Sequence, residues 1–136
     1  MPASYRIDRV KRRVTTVGAG TVSWDDIISH MESLAKDPDF QPTFTQLLDF
    51  TGVTRVDLNH DQIFELAKRT VFSKGSKRAF VTANAYQYGM SRMFQSYRKM
   101  FGTEAIHVFR GLEEAERWLE HKDEPGERAP VPARRA

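Results

Sequence analysis

The spacing of apolar positions changes several times along this chain, and each change predicts an element. Tyr5-Arg-Ile-Asp8 alternates apolar with polar and residues 14–17 are all β-branched, with a charged stretch at 9–13 between them, which predicts a β-hairpin. Ser23 then precedes Trp24, Ile27, Ile28, Met31, Leu34 and Ala35 at helical spacing. Its hydroxyl suits an N-cap, and Asp25 and Asp26 favour the positive end of the helix dipole. Asp37-Pro38 ends that helix, because the residue before proline avoids the α region. Leu47-Leu-Asp-Phe50 predicts a short buried strand stopping at Thr51-Gly52. Asn59 and Gln62 have capping-box spacing and open a second helix, with Ile63, Leu66, Ala67, Thr70 and Val71 as its buried stripe and Ser73-Lys-Gly-Ser76 as its end. Residues 79–82 predict a strand. Asn84 then caps a helix on which Met90, Met93, Phe94, Tyr97, Met100 and Phe101 share the inward face, and Gly102 supplies the usual glycine stop. Residues 106–109 predict another strand, and Leu112, Ala115, Trp118 and Leu119 the last amphipathic helix.

The predicted order is β-β-α-β-α-β-α-β-α. Strands separated by helices need crossovers, so the fold class is α/β, with a mixed, largely parallel sheet, an N-terminal antiparallel hairpin and four helices. The chain has 136 residues, of which 40% are apolar and 29% charged, the composition of a globular protein of about one domain. That domain is expected over residues 1–120. Residues 121–136 hold too little apolar surface to offset their ordering entropy and are expected to form a mobile tail. No apolar run approaches the roughly 20 residues of a membrane span, and nothing at the N-terminus has signal-peptide character, so a cytoplasmic location is expected. Cysteine is absent, which removes disulfides, thiol nucleophiles and thiolate metal ligands together.

Several stretches, in their order and spacing, carry a family likeness. They are Tyr5-Arg-Ile-Asp8, Gln46-Leu-Leu-Asp-Phe-Thr-Gly52, Lys77-Arg-Ala-Phe-Val81, Tyr88-Gly-Met-Ser-Arg-Met-Phe94 and Val108-Phe-Arg-Gly-Leu-Glu-Glu-Ala-Glu-Arg-Trp-Leu119. Together they resemble the bacterial STAS-like proteins, whose fold is that of the anti-sigma factor antagonists and which also resemble CRAL-TRIO lipid-transfer domains. The likeness covers about residues 5–120. It implies a single-layer sheet with helices, and a role in protein recognition or in sensing a small ligand. The better-known antagonists carry a phosphorylatable serine before the second helix, in an Asp-Ser-Ser/Thr pattern. Here Asp57 matches the aspartate, but Leu58 and Asn59 stand where a hydroxyl belongs, and neither Thr51 nor Thr54 fits the pattern. The usual phosphoserine switch is therefore not expected.

The net charge is +3, but residues 66–103 contain eight Lys and Arg and no acid at all. If the fold gathers them, they make a face attractive to phosphates; otherwise they are solvated helix faces. Aromatic residues interleave with this block, a pattern that single-stranded nucleic acid exploits, yet Phe94, Tyr97 and Phe101 belong to the predicted inward stripe, so nucleic-acid binding is not the favoured reading. Gly18-Ala-Gly20 before Ser23 is an incomplete dinucleotide fingerprint, read instead as a bend at the strand end. His30, His60, His107 and His121 lack metal-ligand spacing, so no metal and no cofactor are expected. There is no G-x-S-x-G elbow, and His60 beside Asp57 and Asp61 reads more simply as a polar helix start than as an acid–base pair.

Open α/β sheets bind ligands beyond the carboxyl ends of their strands. Asp49, Thr51, Asp57, Asn59 and His60 would reach that crevice from one loop, and Asn84, Tyr86, Tyr88 and Arg92 from another, with Gly89 permitting close approach of an anion to the third helix. Phe64, Lys68 and Phe72 recur every four residues, and exposed phenylalanines there would suit a partner protein or a second copy of the chain. The reading that results is a non-enzymatic STAS-like regulatory or protein-interaction module. The alternative is a carrier of a small lipid-like or phosphate-bearing ligand, which a deep apolar cavity under Met90 and Met93 would favour.

Overall fold

The computed structural model describes residues 3–102 and 104–121, so all but one residue of the expected tail lie outside it. Its elements run β1 (Ala3–Asp8), β2 (Arg13–Ser23), α1 (Trp24–Lys36), β3 (Thr45–Asp57), α2 (His60–Ala67), β4 (Lys77–Val81), α3 (Ala85–Phe101), β5 (Ala105–Phe109) and α4 (Leu112–Glu120). The strands lie in the sheet in chain order. β1 is antiparallel to β2 and every other neighbouring pair is parallel, as the alternation of strands and helices demands. Connections of one hand between adjacent parallel strands place their helices on one face. Accordingly α1, α2 and α3 cover one side of the sheet, while α4, which follows the last strand, packs alone on the other against Leu47, Ala79 and Val81.

The helix starts follow their local chemistry. Ser23 and Asp26 form one capping box and Asn59 and Gln62 another; Asn84 accepts the Gln87 N–H. Other boundaries move. β3 does not stop at Thr51-Gly52 but runs on to Asp57 beside a β2 that itself reaches Ser23. Gly18-Ala-Gly20 is therefore bulged strand rather than a bend at its end, with register shifts at Val17/Ala19 and Gly20/Thr21 and Gly20 at a φ of 66° that favours glycine. Gly52 is needed for space, since a Cβ there would lie 3.0 Å from the Gly18 carbonyl oxygen. α2 ends at Ala67, before Thr70 and Val71.

The inward face of α3 differs most from expectation. Its buried residues are Gln87, Ser91 and Arg98, whereas Met100 and Phe101 remain 67% and 44% exposed. Each buried polar group but one finds a distant partner: Gln87 donates to the Val53 carbonyl, and Arg98 donates to the Ala67 carbonyl and binds Glu104. Gly102 closes the helix in extended backbone rather than the left-handed form, and its missing side chain makes room for the Arg98 guanidinium.

Candidate functional site

Even-numbered positions of the central strands face α1–α3: Thr16 on β2, Gln46, Leu48 and Phe50 on β3, Arg78 and Phe80 on β4. Between them and Ile27, Met31, Ile63, Leu66, Met90 and Phe94 of the three helices lies a cavity of about 140 Å³. An apolar void of about 150 Å³ stays dry and takes one benzene molecule, so this one has room for a ring or a short alkyl group. It persists because α1 rests on β1 and β2 and α2 rests on α3, while α1 and α2 barely approach each other.

A chain of polar side chains crosses the floor of the cavity. Arg78 Nε donates to Gln46 Oε1 at 3.0 Å, Gln46 Nε2 donates to Thr16 Oγ1 at 3.1 Å, and Thr16 Oγ1 lies 3.2 Å from His30 Nε2. A guanidinium only donates, and this fixes the amide orientation of Gln46. Thr16 Oγ1, having accepted from Gln46, has a donor and a second lone pair left and shares its remaining hydrogen bond with His30 Nε2. Nδ1 is buried and has no hydrogen-bond partner. Burial, and then the charge of Arg78, hold the His30 pKa below its ordinary value.

The far end of the chain is anchored by Glu104, which receives Arg78 at 3.1 Å and Arg98 at 2.8 Å and is also bonded by the Thr70 hydroxyl. Burial pulls the Arg78 guanidinium down to about 10 against the opposing pull of Glu104, so it stays charged at neutral pH. Two of the eight cations in the acid-free segment are thereby spent inside the protein. Lys68 pairs with Glu65, and Lys77 donates to the carbonyls of Trp118 and His121. The segment does not form one basic face.

The residues singled out in the sequence are dispersed. Asp49, Thr51 and Asp57 belong to β3 itself, and only Asn59 and His60 follow it, so no single loop carries all five. Asp49 accepts the backbone N–H and hydroxyl of Thr51, Asp57 faces Arg55 at 3.8 Å, and Asn59 is committed to capping. No hydrogen bond among the described residues joins His60 to Asp57. On α3, Asn84 and Gln87 occupy backbone donors at the helix start, Tyr86 is exposed, and Gly89 faces open space, so close approach is not what the glycine serves there. Tyr88 lies between the guanidinium groups of Arg92 and Arg110, 5.9 and 4.3 Å from its ring centre. Phe72 lies beyond α2 and is 6% exposed, packed with Val14, Leu34 and Phe44; Phe64 sets its edge against Tyr97 and Phe101. Of the predicted site residues only Phe72 lines the cavity. Among the described residues no cluster of His, Asp and Glu could hold a metal ion, and no helix is long and apolar enough to cross a membrane.

The sequence matches no family profile and no curated protein. Among solved structures it is similar to an uncharacterised protein of the DUF3478 family with a SpoIIAA-like fold from Shewanella loihica PV-4. The TM-score is 0.57 at 16% identity, over 86% of this chain and 93% of that one. The fold is SpoIIAA-like. The STAS-like architecture read from the sequence thus stands, including its mixed five-stranded sheet and four helices. In this SpoIIAA-like domain the turn before α2 carries Leu58 and Asn59, so no hydroxyl follows Asp57 there.

Proposed function

We propose that this SpoIIAA-like domain is a non-enzymatic module that holds a small apolar ligand between the sheet and α1–α3. The observation carrying this reading is the cavity of about 140 Å³ with Met90 in its wall, since packed interiors rarely leave a void of that size without a use for it. Titration with toluene, followed by amide NMR shifts, tests it. Shifts are expected at Leu48, Met90 and Phe94 and should vanish in Ser91→Leu, whose longer side chain fills the space. A wild-type protein unmoved by millimolar toluene would refute the reading.

A second reading, self-association through α2 and α3, is favoured by Met100 and Phe101, which remain exposed, Phe101 in ring contact with Phe64. Sedimentation of wild type and Met100→Asp tests it: a dimer lost in the variant supports it, and two identical monomers refute it.

A further inference from the structure

We propose that the cavity is selective for a small anionic amphiphile, with Arg69 holding the charged head and the apolar wall holding a tail of about six carbons or one ring. This rests on the reading that the cavity takes a ligand, and names the chemistry of that ligand.

Arg69 follows the C-cap of α2 and is exposed, yet it lines the cavity. Its guanidinium carbon lies 5.5 Å from the ring centre of Trp24, at the start of α1. The two side chains therefore span the gap that α1 and α2 leave open, at the edge of the void. Arg78, the other cation at the cavity, is buried and committed to Glu104 and Gln46. Among the described residues Arg69 has no carboxylate within ion-pair distance. Glu65, one turn before it in the chain, pairs with Lys68. An anion arriving at the gap thus meets an unpaired guanidinium able to form a two-pronged, charge-assisted contact.

Beside the polar chain on its floor, the interior holds Ser91. Ser91 is 5% exposed, lines the cavity, and among the described residues makes no hydrogen bond. Its hydroxyl can therefore take a hydrogen bond from a guest in the cavity. The shape of the space supplies the rest of the specification: one cation at the rim, apolar walls below, and room for a benzene-sized body. Arg69 also offsets the negative end of the α2 dipole, but that role predicts an effect on stability alone and none on the choice of ligand.

The discriminating measurement is selectivity among hexanoate, hexyl phosphate, hexanol and acetate. In a Trp118→Phe background, Trp24 is the sole tryptophan and its emission reports binding at the gap. Hexanoate or hexyl phosphate is expected to bind about tenfold more tightly than hexanol, and Arg69→Gln to abolish that preference. The preferred anion tells a carboxylate head from a phosphate head. Arg69 Nε–H shifts in the wild-type protein give the same comparison without any substitution. Hexanol binding as tightly as both anions would overturn the proposal and leave the apolar-ligand reading standing. Acetate matching hexanoate would reduce it to surface ion pairing and overturn it. If no six-carbon probe binds at all, both readings fall.

Discussion

Arg98 and Glu104 face each other across the turn from α3 into β5, with Nε to Oε2 at 2.8 Å and Nη2 to Oε1 at 3.1 Å. The carboxylate is only 1% exposed and also receives Arg78, so one acid neutralises two buried guanidinium groups and ties α3, β4 and the end of α2 together. Breaking such a pair strands a buried charge. Glu104→Gln is expected to lower unfolding stability by about 3–5 kcal/mol, measured by urea denaturation at pH 7. A loss below about 1 kcal/mol would contradict this account.

Gly102→Ala is expected to mimic part of that loss. A Cβ at this position would occupy the space of the Arg98 guanidinium and crowd Glu104. The backbone is extended, so alanine has no conformational objection, and its effect comes from displacing Arg98. Combined with Glu104→Gln, the two losses should be clearly less than additive, which a double-mutant cycle reads directly.

His30 gives a pH dependence of definite sign. Its folded pKa lies below 6.5, so the unfolded chain binds the proton more readily, and stability falls as pH drops from about 6.5 through the depressed folded value. His107, also depressed by burial, acts in the same direction. His30→Gln should flatten the fall in stability below about pH 6.5, read by urea unfolding at a series of pH values. A His30 titration at or above 6.5 would contradict the effect assigned to its burial.

Two phenylalanines that sequence spacing treats alike should respond differently. Phe72→Ala removes a core side chain among Val14, Leu34 and Phe44 and is expected to cost about 3–5 kcal/mol. Phe64→Ala loses ring-edge contacts at a half-buried position and should cost clearly less, about 1–2 kcal/mol. Equal losses in thermal or urea unfolding would argue that both rings share one environment.

Much of the fold was legible because its signals are local. The capping boxes at Ser23 and Asn59 mark helix starts without reference to the rest of the chain, and the order of strands and helices already required a mainly parallel sheet. The inward face of α3 was legible only in part: Met90 and Phe94 of the apolar stripe do face the sheet, but Gln87 and Arg98 are buried on account of partners at Val53, Ala67 and Glu104 that only the fold brings near. The apparent apolar stripe pointed to Met100 and Phe101 instead. The cavity was hidden for a similar reason. Thr16, Gln46 and Arg78 are polar strand residues whose inward place shows only in their hydrogen bonds to one another. Met90 and Phe72 were legible as apolar but not as parts of one wall.

The overhang of β3 has a dynamic corollary. Its pairing with β4 covers only Gln46–Asp49, whereas its pairing with β2 continues to Asp57, so the last part of both strands is a two-stranded ribbon without flanking neighbours. Val22, Phe50 and Val56 of that ribbon line the void, and Gln87 clips it to α3 through the Val53 carbonyl. Amide hydrogens there should exchange well before those at 45–49, so this end of the sheet opens while its centre stays closed.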